Sequence, residues 1–207
     1  MSDGSRAPER AARRGATAKE SEREAMAVAV QTGRTQAAGG RQGKYLVFHL
    51  GREEFGVAVL KVREIMGLQE ITEVPQTPDY VRGVINLRGK VVPVVDLRRK
   101  FRMAEAEATP RTCIIVLQIR RKRAEPADPL LMGILVDGVS EVLTIQEQEI
   151  EDTPSFGEDV RLPYILGMAK VKGRVKILLD IDEVMTAQEL DGLESLPLGE
   201  EAPAVEG

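Results

Sequence analysis

Tryptophan is absent from the 207-residue chain, and cysteine and histidine occur once each, at Cys113 and His49. One cysteine excludes an internal disulfide and suits a reducing cytoplasm. With a single histidine, Cys/His zinc sites and histidine-based catalytic triads lack raw material. Four Phe and three Tyr are too few to build broad platforms for stacking bases. No window holds 18 consecutive apolar residues, and Met1-Ser-Asp-Gly-Ser-Arg6 carries no apolar h-region, so neither a membrane span nor a secretion signal is expected. Walker-type phosphate loops, G-x-G-x-x-G turns and G-x-S-x-G elbows are also missing. A net charge of −4 lacks the basic field of a nucleic-acid binder. The expectation is a protein without catalytic residues, metal or cofactor.

What is present begins late. After Met1, residues 1–43 contain no large apolar residue before Met26, and their eight bases against five acids leave an excess of three positive charges. Such a segment cannot bury enough surface to offset its ordering entropy, so it reads as a disordered tail. Order is expected from Lys44, with strands at Tyr45–Leu50 and Phe55–Val59 around a turn at Gly51–Glu54. Alternation places Leu46, Phe48 and Leu50 on one face and Tyr45, Val47 and His49 on the other. His49, without acidic or cysteine neighbours, reads as structural. The acid pair Glu53-Glu54 reads as solvated turn charge. Lys61–Met66 continues as strand, and Asp96 is placed to cap a brief helix through Phe101. Cys113 shares a face with Ile115, Leu117 and Ile119, as a buried inert thiol would. Residues 120–129 form a charged, Pro-bearing loop, and 150–163 a long loop holding Phe156. Helical spacing runs from Asp182 to Leu193, and residues 191–207 form an acidic, flexible end.

The most informative stretch is Tyr80–Leu97, where two β-branched runs meet at Arg88-Gly89, a hairpin signal. It occurs twice. Gly83–Leu97 lies over Gly167–Ile181 without a gap, matching Arg88 to Lys172, Gly89 to Gly173 and Asp96 to Asp180. Upstream, Gly56–Ile65 aligns with Gly133–Val142, and the strand starting at Tyr45 with that starting at Cys113. An offset of 84 residues is too long for solenoid units and indicates a duplicated domain. Each copy has about five short strands in the order of a small barrel. Each is small for a core of its own, so the two should share an apolar seam.

The collected motifs resemble the CheW family of chemotaxis coupling proteins. They are Tyr45-Leu-Val-Phe, Glu54-Phe-Gly-Val, Leu60-Lys-Val-Arg-Glu-Ile65, Thr77-Pro-Asp-Tyr-Val-Arg-Gly-Val84, Asn86-Leu-Arg-Gly89, Val92-Pro-Val-Val-Asp-Leu97 and Val136-Asp-Gly-Val-Ser-Glu-Val142. The resemblance implies a mainly β fold over residues 44–190: two tandem SH3-like five-stranded barrels, about 44–101 and 112–182 and partly intertwined, with a shared hydrophobic core and a short C-terminal helix. It further implies a non-catalytic scaffold joining the cytoplasmic tips of chemoreceptors to the regulatory domain of the histidine kinase CheA. Such a scaffold is cytoplasmic, is recruited to receptor arrays at the inner face of the membrane, and has CheW–CheW or CheW–kinase ring contacts. Carried over by motif, Val62, Glu64, Gly83 and Arg88 fall where the family engages receptor or kinase; Asn86, which the repeat replaces with Lys170, joins Arg88 as a candidate for what the partners read. Ile65 and Met66 lie beside the kinase-facing surface, and Phe156 in a second-barrel ring contact. A Glu64–Arg88 pair near the hairpin tip is expected to orient the partner.

Other readings fit less well. A CheA-like kinase needs an ATP-binding domain and a phosphorylatable His, and a CheV-like protein a receiver domain; neither fits this length. A small-barrel RNA-binding protein wants a basic, aromatic face. An adaptor of a non-flagellar chemosensory pathway remains the sibling alternative.

Overall fold

In the computed structural model the described residues are 41–120, 129–153 and 162–194. Most of the expected tail and acidic end, the 121–128 stretch and Phe156 lie outside them. The strands are β1 (Gly43–Leu50), β2 (Glu53–Ala58), β3 (Val62–Gly67), β4 (Val81–Leu87), β5 (Lys90–Asp96), β6 (Cys113–Ile119), β7 (Leu130–Val136), β8 (Gly138–Ile145), β9 (Ile150–Glu151), β10 (Ile165–Val171) and β11 (Arg174–Leu179). They form two sheets, ordered β3-β6-β7-β5-β4 and β8-β1-β2-β11-β10-β9. In each, the outermost strands follow one another in the chain. Thr72, in the loop after β3, bridges Val84 on β4, and β9, after β8, pairs with β10. The fold is two SH3-like barrels.

The barrels are not the two halves of the sequence. β1 and β2 pair with β8 and β11, while β6 and β7 pair with β3 and β5. Each half therefore lends its first hairpin to the other half's barrel, and the expected division near residues 101–112 gives way to a full exchange. We call the barrel holding β3, β4 and β5 the first. Strands β1 and β6 are apolar on both faces because each borders two cores, a barrel interior and the seam. From β1, Leu46, Phe48 and Leu50 face a seam between the barrels while Tyr45 faces the second barrel's interior. From β6, Cys113, Ile115 and Leu117 face that seam while Ile114 and Val116 face the first barrel's interior. Cys113 is 3 % exposed, as an inert thiol should be.

The pairing registers also correct the repeat by one residue. Tyr45 stands opposite Ala58 and Leu143, and Ile114 opposite Leu135 and Met66. Tyr45 therefore corresponds to Ile114, not Cys113; a one-residue slip would turn every side chain of the strand to the wrong core. Asp96 caps the helix Leu97–Lys100, its Oδ1 accepting from the Arg98 and Arg99 N–H groups at 2.9 and 3.3 Å. The expected helix from Asp182 is shorter, spanning Ala187–Glu194 after a run of turns. Asp180 shapes the first of these, accepting from the Asp182 N–H at 3.1 Å. Ile150–Glu151, expected as loop, are strand.

Candidate functional site

The site residues of the first barrel come from two elements of the same half of the chain, strand β3 and the β4–β5 hairpin. Strand β3 brings Val62, Glu64, Ile65 and Met66, each half-buried. Its pairing with β6 shifts between Val62 and Glu64, a bulge that re-aims the side chains around Arg63. Val62 and Ile65 pack against the seam between the barrels, and Met66 against the first-barrel interior. Strand β4 and its turn bring Gly83, Asn86 and Arg88. Arg88 and Gly89 both have positive φ, 53° and 84°, the geometry of a type I′ hairpin turn. The first of these positions favours Asn, Asp or Gly, so Arg88 is held in a mildly strained backbone at an exposed tip. Asn86 steadies it, its Oδ1 accepting from the Gly89 N–H at 2.8 Å.

Glu64 and Arg88 join the two elements. Arg88 Nη2 donates to Glu64 Oε1 at 3.1 Å, with the arginine side chain 77 % exposed and the carboxylate 21 %. The pair holds β3 and the hairpin tip as one face. As an exposed pair it contributes about 0–1 kcal/mol to folding. The second barrel repeats it: Lys172, also at positive φ, bonds Glu141 at 2.9 Å. The pair is therefore inherited with the fold. What belongs to the first barrel alone is the Asn86 cap, replaced by Lys170 in the repeat, and arginine in place of lysine.

Gly83 has a different place from the other site residues. It is buried, at φ 132°, and a Cβ there would lie 2.1 Å from the Thr72 carbonyl oxygen. That contact lets Thr72 and Val84 exchange two backbone hydrogen bonds of 2.9 Å. Its repeat partner Gly167 is crowded in the same way, by Ile150 and the Glu151 carbonyl. Gly83 shapes the wall on which the site is built.

Several supports of this face have no motif to announce them. Lys61 bonds Asp182 Oδ2, while Asp182 Oδ1 accepts from the Arg120 N–H at 2.9 Å. Asp182 thereby fixes the turn just before Val62. Glu189 of the C-terminal helix accepts from Tyr80 at 2.7 Å and Lys100 at 2.5 Å, and its other oxygen from the Thr186 N–H at 2.8 Å. Burial pushes the Glu189 carboxyl up, but these donors outweigh it and hold the group down at about 2. Burial and the neighbouring carboxylate together raise the Tyr80 hydroxyl well above its usual range. Only the helical spacing of Leu190 and Leu193 hinted at this dock.

Glu54, read as solvated, is 7 % exposed and accepts from Lys176 at 2.5 Å and Arg174 at 3.2 Å. Its position at the first turn of a strand concealed the partner, which lies 122 residues away.

Away from this face, His49, Arg98, Arg111 and Asp137 line a cleft of about 520 Å³. Arg98 is taken up there by Asp137 and the Ala104 carbonyl. Burial raises the Asp137 carboxyl, but Arg98 and the Gly51 N–H more than reverse this and hold it low. Among the described residues no three His, Cys, Asp or Glu side chains gather as a metal site would need. No helix among them is long and apolar enough to cross a membrane.

Comparison with known proteins agrees with this geometry. The family model described as the CheW-like domain matches residues 44–189. The chemotaxis protein CheW of Klebsiella aerogenes is 37% identical over 147 residues, 71% of this chain and 84% of the relative. That of Rhizobium meliloti is 38% identical over 151 residues, 73% of this chain and 91% of the relative. Among solved structures, the scaffolding protein TtCheW of Thermoanaerobacter tengcongensis aligns with a TM-score of 0.61 at 28% identity, covering 74% of this chain and 94% of that one. The exchanged barrels and the matched motifs thus have one common explanation: the chain belongs to the CheW family of chemotaxis scaffold proteins.

Proposed function

We propose that the chain is a non-catalytic adaptor that joins the cytoplasmic tips of chemoreceptors to the regulatory domain of the kinase CheA. Its working surface is the β3 and β4–β5 face of the first barrel. The observation that carries this reading is the Glu64–Arg88 bond, which joins the strand of Val62, Ile65 and Met66 to the exposed hairpin tip of Asn86 and Arg88. The patch so joined has a half-buried apolar strand and a charged, exposed tip. A patch of this kind suits an amphipathic helical partner, whose apolar stripe can lie along the strand while the charges set its orientation. Leu60, 41 % exposed just before β3, extends the apolar part. Phe156 is proposed as a contact of the second barrel with a neighbouring kinase domain or second adaptor in a ring. The protein works in the cytoplasm, held at receptor arrays through its partners.

The test is charge exchange. Glu64→Arg and Arg88→Glu should each reduce coupling of receptor to kinase, and the double variant should recover much of the loss while all three melt within a few degrees of the parent. Equal loss in the double variant would remove the orienting role of the pair.

A further inference from the structure

The exchange of hairpins has a close competitor. Because the two halves are repeats, β1–β2 could instead close on β5 of its own half, and β6–β7 on β11. The observed registers define what that competitor would bring together. β2 runs parallel to β11 with Glu54 opposite Lys176 and Gly56 opposite Leu178. β7 runs parallel to β5 with Gly133 opposite Val94. Through the repeat, Val92 holds the place of Lys176, and Leu131 that of Glu54. Without the exchange, Glu54 would therefore face Val92, and Lys176 would face Leu131.

At these four positions the two interiors differ in kind. The first barrel is lined by Ile85, Val92, Val94, Ile114 and Val116, with Leu131 packed on them. The second is lined by Tyr45, Ile145, Ile150, Ala169 and Leu178, yet it also takes in Lys176, 2 % exposed, and Glu54. Lys176 Nζ meets one carboxylate oxygen, and Arg174 reaches the other from the solvent side. A buried ion pair adds little stability over apolar residues of the same shape, whereas one buried charge without its partner is strongly unfavourable. The hairpin-tip pairs Glu64–Arg88 and Glu141–Lys172 have the same sign order in both barrels and cannot tell the halves apart. The interior pair exists in one barrel only, so it can.

We propose that Glu54 and Lys176 are a pairing code, which directs each hairpin to the opposite barrel by making the unexchanged fold bury two charges apart from each other. The pair selects the topology; it is not there to add stability. Fold specificity from a buried polar group has precedent as a register device.

The full chain tests this. In Glu54→Leu/Lys176→Val the second barrel receives the same side chains that the first already holds at these positions, so the code is erased without a new shape. After unfolding and refolding, the ¹⁵N-labelled variant should give doubled amide signals for β2, β5, β7 and β11, where the parent gives one set. Reversal of the pair, Glu54→Lys/Lys176→Glu, should restore a single set. So should moving the pair to the first barrel by adding Val92→Lys and Leu131→Glu to the erased variant. A single parent-like set from the erased variant overturns the proposal. Complete loss of folding by that variant overturns it too, because the pair would then be needed for stability and not for choice.

Discussion

Replacing Gly83 with alanine separates a glycine that a partner touches from one that the barrel needs. The added Cβ would meet the Thr72 carbonyl oxygen at 2.1 Å, and backbone lies on that side, so no flexible side chain can swing away. Relief requires the 72–73 segment to move, which gives up the two hydrogen bonds between Thr72 and Val84. Those bonds contribute about 0.5–1.5 kcal/mol each, and the disallowed φ adds about 1–3 kcal/mol. The expected loss is therefore about 2–6 kcal/mol out of a total of about 5–15 kcal/mol. For a domain of this size that lowers Tm by roughly 4–24 °C, about 12 °C at the middle of both ranges. Gly89→Ala is the control, because nothing lies within 4 Å of its Cβ; with only the φ penalty of about 1–2 kcal/mol, its Tm should fall by only a few degrees. The assay is thermal unfolding by circular dichroism, followed by partner binding at a temperature where each variant is folded. A Gly83→Ala protein that melts with the parent but fails to bind would make Gly83 a contact residue and not a residue the barrel needs.

The same geometry gives two further expectations. Phe55 stacks on Phe48 and Phe101, with ring centroids 5.9 and 5.8 Å apart, in a series that ends at Tyr164; Phe55→Ala should cost about 3–5 kcal/mol in denaturant unfolding, and a loss below 1 kcal/mol would contradict the seam. Glu189 is held at about 2 against an ordinary 4.5, so its contribution is fully present above pH 4.5 and is lost as pH falls toward 2; the hydrogen-exchange protection of the C-terminal helix, corrected for the intrinsic rate at each pH, should fall more steeply over that window in the parent than in Glu189→Gln, and an equal pH response in both would remove the dock.

Local pattern made much of this legible. Gly89 and the β-branched runs beside it marked the hairpin, Asp96 the helix cap, and the 84-residue repeat the duplicated barrel. Patterns of this kind rest on residues close in the chain, where spacing and geometry are tied together. The exchange was hidden because a hairpin carries the same alternation whichever sheet it joins. The apolar character of both faces of β1 and β6 marks the shared seam, which either arrangement would have. The one-residue misplacement of Tyr45 against Cys113 has the same origin, since strands apolar on both faces offer no alternation to fix register. Glu54 looked like turn charge because its partner Lys176 is distant in sequence. At the candidate site, Glu64 and Arg88 were legible as a pair through the family motif, whereas Asp182 and Glu189 hold that face through contacts that no motif contains.

The adaptor role is tested most directly by mixing the purified chain with CheA and a receptor cytoplasmic fragment and following them by sedimentation velocity. A ternary complex is expected that is lost with Arg88→Glu and regained in Arg88→Glu/Glu64→Arg. Parent protein that sediments alone in the presence of both partners would contradict it.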